Sequence, residues 1–499
     1  MQHKHAHIVA GASYIKAWES FTCNSLPCTE ADLMHRASNA FVQTLLSYGS
    51  RPLQWIVLAG PGNNGGDGFF IARLLLLEGY RPEVYYLPST SDRPAHIVQC
   101  MNELMEAGLL VQEISSNKNF PLLSPDTWVI DALFGIGLNR PLSSIAAELV
   151  MCLLAAEVTC WSVDIPSGMG SDQSITGPCV KAQHTIGFEC WKPAYLMSQN
   201  TPMLGVLEVV PIGLSPDYPL FHPPDNRIIT YAAIREIFHP RQGFEHKGHF
   251  GHSLIIAGSH GKMGAALLAA KASLRSGTGL LTVVAPIKYT AELLTVLPEA
   301  MQADRENGMP VLAPFRSIGL GPGMGLDAEA EKLLLEVLRS TRVPLVLDAD
   351  ALHLLSLVPD YLNLLPAGSI LTPHPKEFDR LFGKHTNEYE RSATARNISL
   401  QHPWVIVLKG HHTQIIFNGI TWFNDTGNVG LAKGGSGDVL TGILTALLAQ
   451  QYEPLQAALL GVYLHGLAAD IAVKDIALES LLASDVIDRI GTAFQSLYE

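Results

Sequence analysis

Charge is scarce in this chain. Asp, Glu, Lys and Arg make up 16% of its 499 residues, against about a quarter in an ordinary soluble domain. With 47% hydrophobic residues, this excludes widespread disorder and predicts large, well-buried cores. Positive charge is shortest of all. The net charge is −13, which disfavours a nucleic-acid or anionic-membrane partner. Anionic small molecules stay open, because backbone amides at a helix start bind phosphate locally. Cysteine is also rare, and the seven present are odd in number and irregularly spaced. That suits a reducing cytoplasm better than a disulfide framework. Cys23 and Cys28 have no matching second pair, which argues against zinc. The start, "MQHKHAHIVAGASYIKAW", lacks a long apolar core and a cleavage signal, so no signal peptide is expected. Its His3, His5 and His7 could bind metal, but a frayed terminus is the expected reading. Long apolar runs are missing too. The longest, residues 457–470, is interrupted by His465 and is too short to cross a bilayer.

What is present is alternation. Apolar, β-branched runs ("QWIVLA", "EVYYL", "TWVIDAL", "TCWSVDI", "HTIGF", "VLEVV") interchange with helical patterns. One of these, "DGFFIARLLLLEGY", is a crossover helix ending near Gly79. Strand, helix, strand at this spacing predicts a parallel sheet covered on both faces. Residues 212–227, "IGLSPDYPLFHPPDNR", are rich in proline and glycine and aperiodic, and read as a linker. A second, unrelated α/β pattern follows: "HSLIIAG", "GLLTVVAP", "SIGLGPG", "PLVLDADAL", "SILTPHP", "WVIVLKG", "TQIIF", "TWFN", then a long helical end. Two α/β domains are expected, over residues 1–215 and 228–499.

"GPGNNGGDG", residues 60–68, contains a G-x-G-x-x-G at Gly60, Gly62 and Gly65. A dinucleotide fold would need an acid at the end of the next strand to hold a ribose. That strand ends "VYYLPST", and its only acid, Glu83, is at the wrong end. Two further loops follow strands of the same sheet. "VIDALFGIGLNRP" carries Asp131 and Arg140; "SVDIPSGMG" carries Asp164 and Ser167. Loops at the carboxyl ends of parallel strands converge on a ligand. Asn64, Asp67, Asp131, Asp164 and Ser167 together exceed what capping and turns require. Such oxygen donors suit a hard cation or a polar substrate, and paired carboxyls suit proton transfer.

In the second half, "GGSGD" precedes an apolar helix and places Asp438 at its start, where free N–H groups face an anion. This is no Walker loop, and "GSHGKMG" misses that spacing. An aspartate there can take a hydroxyl proton as the oxygen attacks a phosphoryl group. His374 in "TPHPKEF" reads equally as a turn residue or a site residue. Asp348 and Asp350 in "LDADAL" leave a magnesium-linked and a structural role open.

These motifs carry a resemblance. "GPGNNGGDG", "DALFGIGLNRP" and "SVDIPSG" resemble the signature loops of the NAD(P)H-hydrate epimerases, the YjeF N-terminal domain family, over roughly residues 12–213. The likeness implies a Rossmann-like three-layer sandwich. It implies substrate contacts from Asn63, Asn64, Gly65, Gly66 and Asp67, from Gly135, Ile136, Gly137, Leu138, Asn139, Arg140 and Pro141, and from Asp164. It implies potassium held by Asn64, Asp131 and Ser167. Animal members carry a lysine after the second strand's tyrosines; this chain has none there, which leaves the aspartates, Asp164 first, as proton carriers. From residue 247 onward, "KGHFGHSLIIAGSHGKMG", "GLGPGMG", "LDADAL", "LTPHPKEF", "VLKGHHT" and "GGSGDVLTG" resemble the ribokinase-like ADP/ATP-dependent NAD(P)H-hydrate dehydratases. There the likeness implies hydrate contacts from Ala265, Gly323, His374 and Asp438, with Asp438 as base. Lys409, Gly410, His411, His412, Thr413 and Gly437 would meet the adenine nucleotide, with Mg2+. The substrates implied are the hydrates of NADH and NADPH plus ADP or ATP, in a cytoplasmic homo-oligomer. A small-molecule kinase is the alternative enzyme, and a nucleotide sensor the non-catalytic one.

Overall fold

The computed structural model describes residues 7–49, 52, 54–89 and 92–498. Most of the "HKHAH" cluster, residues 3–6, and Thr90 of "YYLPST" lie outside the described residues. The chain divides into two compact units, one running to Arg227 and the other starting at Ile228.

The first unit is built on a parallel sheet. Its strands lie in the order Val111–Glu113, Glu83–Tyr86, Gln54–Ala59, Thr127–Ala132, Thr159–Val163, His184–Phe188, Val206–Val210. Central strands such as Gln54–Ala59 are buried along nearly their whole length, as a sheet covered on both faces demands. Val111–Glu113 escapes sequence reading because "VQE" has no apolar run. The helix Asn63–Leu77 begins four residues before the predicted "DGFF" start.

Residues 212–227 are not a free linker. The Trp18 indole donates to the Ser215 carbonyl at 2.7 Å, and the Ser215 N–H donates to Thr22 Oγ1 at 2.9 Å. The Tyr14 hydroxyl donates to the His222 carbonyl at 2.6 Å, and Tyr218 stacks near Trp18. The prolines set the turns, but the interleaved aromatics anchor the segment to the helix Ala12–Ser25.

The second unit has strands in the order Ile420–Phe423, Gln414–Phe417, Val405–Leu408, Ile370–Leu371, Leu345–Leu347, Ser317–Leu320, His252–Ile256, Leu280–Ala285, Met301–Asp304. All pair in parallel except at the hairpin strands Gln414–Phe417 and Ile420–Phe423. The helix Ser436–Ala449 is buried from Val439 onward. It lies close against Met263–Arg275, because a Cβ at Gly442 would stand 2.1 Å from the Ala269 carbonyl oxygen. The helix Pro454–Ala472 has 19 residues and is apolar enough by length and composition to cross a membrane. It is longer than the apolar stretch suggested, because it begins at Pro454 and continues past Asp470. Its residues are mostly buried within the unit, as in a core helix.

Candidate functional sites

In the first unit the loops after the sheet strands open on a cavity of about 840 Å³. Asn63, Asn64, Asp67, Gly135 through Arg140, Asp164, Glu19 and Lys192 line it. Asn63 and Asn64 are the first turn of a helix capped by Gly62, so the predicted loop of residues 63–67 is helical. Gly65 and Gly66 are buried, and Gly65 packs against the loop below. A Cβ on Gly65 would stand 2.0 Å from the Gly60 carbonyl oxygen, and one on Gly66 2.6 Å from Met34 Cε. Neither they nor Pro141 lie among the residues lining the cavity.

Beneath the cavity Asp131 is fully buried. Its carboxylate accepts from Ser167 Oγ at 2.5 Å, the Ser167 N–H at 2.9 Å, Ser162 Oγ at 2.9 Å and the Leu133 N–H at 3.3 Å. Burial raises its pKa and these bonds oppose the rise. Ser167 Oγ also accepts from the Phe134 N–H at 2.8 Å, tying two of the predicted loops together. Asn64 Nδ2 is buried with no hydrogen-bond partner, while Asn64 Oδ1 lies beside Gly135. An orphaned buried amide is costly. Turned over, it would offer its oxygen to a hard cation.

Asp164 has φ +65°, a left-handed conformation uncommon for a residue with a Cβ. The bend turns its carboxylate toward residues 188–192. There it accepts from the Phe188 N–H at 2.9 Å and from Lys192 Nζ at 2.6 Å. Lys192 is 1% exposed and also donates to the Phe188 carbonyl at 2.9 Å. No lysine follows the tyrosines of the second strand, but the cavity has an ammonium all the same: it comes from "CWKPAY". Burial first, and then Asp164, push the Glu19 carboxyl up to about 7, against Lys192 and Lys16. Burial, Asp164 and Glu19 together hold Asp67 well above the ordinary range. The cavity thus combines two carboxyls that favour the proton with one paired to a buried ammonium, an arrangement that separates acid from base.

In the second unit Gly435, at φ +96°, caps the helix Ser436–Ala449, with Asp438 in its first turn. Burial and Asp348 raise the Asp438 carboxyl to about 6, with Lys409 opposing. Gly323, at φ +58°, brings Ala265 close: a Cβ there would stand 3.2 Å from that of Ala265. Asp350 accepts from the Gly325 N–H at 2.8 Å and from Lys262 at 3.1 Å. His374 is the cap of the helix Pro375–Phe382. Its Nδ1 accepts from the N–H groups of Lys376 and Glu377, and Glu377 accepts from the His374 N–H at 2.9 Å. The ring itself is half exposed. Lys409 follows the strand Val405–Leu408 and leads into a turn closed by Thr413 on the Gly410 carbonyl. In that turn burial, with His411, lowers the His412 imidazole to about 4.

A parallel sheet with a cavity lined by carboxyls, followed by a second with a glycine-capped helix start that carries a carboxyl, defines a two-domain α/β enzyme. Residues 30–194 match the model of the YjeF-related protein N-terminus, and residues 253–491 that of NAD(P)H-hydrate dehydratase. The chain is 32% identical to a bifunctional NAD(P)H-hydrate repair enzyme of Thermofilum pendens, covering 98% of this chain and 97% of that protein. It is 34% identical to one of Vibrio cholerae, over 92% of each. Among solved structures, a ribokinase-like superfamily protein of Enterococcus faecalis is 30% identical with a TM-score of 0.50, covering 55% of this chain and 96% of that one. The chain belongs to the bifunctional NAD(P)H-hydrate repair enzymes.

Proposed function

We infer that this protein returns hydrated NADH and NADPH to use. The first unit interconverts the R and S hydrates. The second dehydrates the S form at the expense of ADP or ATP. The observation that carries the second activity is Asp438, a carboxyl of raised pKa at a helix start whose N–H groups favour phosphate. Asp438 takes the proton of the ring hydroxyl. That oxygen attacks the terminal phosphoryl group of the nucleotide, and the nucleoside phosphate leaves. The C–O bond to the new phosphate then breaks, driven by the ring nitrogen lone pair. Loss of a ring proton completes NAD(P)H and inorganic phosphate.

In the first unit Asp164 would move the proton of the hydroxyl at the carbon that inverts, a reading supported by its bonds from Lys192 and the Phe188 N–H. Potassium at Asn64, Asp131 and Ser167 would supply fixed positive charge beneath the substrate. The magnesium ion is better viewed as the counter-ion of the nucleotide phosphates. No group of three or more His, Cys, Asp or Glu suited to a metal occurs among the described residues. A cytoplasmic setting and a homo-oligomer remain our proposals, the first resting on the seven free thiols.

Product analysis tests the reading. Incubation with the hydrates and ADP should release AMP, phosphate and NAD(P)H in equal amounts. A stable phosphorylated product without NAD(P)H would instead make the second unit a small-molecule kinase.

A further inference from the structure

The strand Leu345–Leu347 leads into Asp348, the cap of the helix Ala349–Leu357, a residue 2% exposed that the chemistry above does not use. Its Oδ1 accepts from Lys409 Nζ at 2.7 Å and from the Ala349 N–H at 2.9 Å; its Oδ2 accepts from Thr441 Oγ1 at 3.2 Å. Three elements thereby meet at one carboxylate: its own strand end, the end of the strand carrying Lys409, and the helix carrying Asp438. Two local features make room for this. Ala349 is held at φ +46°, a conformation that costs an alanine energy. At Gly437 a Cβ would stand 3.0 Å from Asp348 Oδ2 and 3.3 Å from Lys409 Nζ. Glycine at 437 is thus explained on its inner side by the ion pair.

A lysine has a long flexible stem, and other carboxylates compete for Lys409. Glu377 Oε2 lies 3.9 Å from Nζ, and Asp438 is close enough to feel its charge. A salt bridge from Lys409 to Asp438 would neutralise the base. We propose that Asp348 is a positioning residue of the dehydratase, holding the Lys409 ammonium beside the glycine-rich helix start, where it meets the nucleotide phosphates and leaves Asp438 free. This role rests on the dehydratase reading of the second unit. In this role Asp348 acts through Lys409, its ion-pair partner at 2.7 Å.

The test is a double-mutant cycle in the full-length protein, with Asp348→Asn, Lys409→Met and the pair, assayed for dehydration of the S hydrate with ADP. Each single variant should lose roughly 10- to 100-fold in kcat, the range for groups that orient a working ligand. The double variant should lose no more than Lys409→Met alone, because both act through one ammonium. The pH profile adds a readout of the charges around Asp438. The charged groups around Asp438 are Asp348, Lys409 and Asp350, with Glu377 behind Lys409 and Lys262 paired to Asp350. Removing the negative charge in Asp348→Asn should move the rising limb to lower pH. Removing the positive charge in Lys409→Met should move it to higher pH. If Asp348→Asn does not fold, Gly437→Ala presses on the same pair without changing its charge and should also lower kcat. Independent losses that multiply in the double variant, or a rising limb unmoved in Asp348→Asn, would overturn the proposal. A wild-type protein with no dehydration at all would instead sink the reading on which it rests.

Discussion

The segments around Asp67 and Asp438 are alike in composition and opposite in construction. Both combine clustered glycines with an aspartate in the first turns of a helix that follows a strand or loop of an α/β sheet. In the first, Gly65 and Gly66 serve packing against Gly60 and Met34, and the polar side chains of Asn64 and Asp67 face a cavity. In the second, Gly435 caps the helix in a left-handed turn and Gly437 makes room for an ion pair. What differs is the company each carboxyl keeps. Asp67 faces two other carboxyls; Asp164 holds a buried ammonium; Asp438 lies near an ammonium that another aspartate holds. A glycine-rich loop therefore sets how close the backbone comes, while neighbours distant in sequence set the chemistry.

The two heads can be broken separately. The largest effect is expected for Asp438→Asn. Dehydration of the S hydrate should fall by about 10²- to 10⁴-fold, the usual contribution of a general base, while R/S exchange without nucleotide, followed by NMR, continues. Next comes Lys192→Met. It leaves the Asp164 carboxylate buried without its cation, a loss on the order of 3–5 kcal/mol. Calorimetry should show it as earlier unfolding of the first unit, with epimerisation lost and dehydration of pure S hydrate retained. Gly435→Ala is smaller, about 1–3 kcal/mol for an unfavourable backbone region, since its Cβ would also meet Leu268 at 2.7 Å. The mildest probe is pH. A base must be ionised to act, so dehydration should decline as pH falls through about 6, the value for Asp438. Epimerisation should bend near 7 and lose that bend in Glu19→Gln, because Glu19 titrates there.

Much of this was legible in the sequence. The runs "QWIVLA" and "TWVIDAL" are strands because both faces of a parallel sheet are buried, which leaves a continuous apolar signature. "GGSGD" could be read because a capped helix start is local. What escaped was non-local or aperiodic. Lys192 lies 28 residues after Asp164 in a segment without a motif, and strand pairing with the left-handed bend at Asp164 joins them. Glu19 sits in an ordinary helical stretch, and nothing near it in sequence announces the cavity. Asp348 was visible as a strand-end acid, but its partner is 61 residues away. The segment 212–227 misled because proline and glycine mark turns without saying whether the turns are docked.

The central claim is that one chain carries two sites acting in sequence on one damaged cofactor. The most direct measurement supplies the purified protein with a mixture of R and S hydrates plus ADP and follows the reduced nicotinamide absorbance. The wild type should recover all of it. Asp164→Ala should recover the S fraction quickly and then slow to the uncatalysed epimerisation rate. Complete recovery by Asp164→Ala at the wild-type rate would contradict the account.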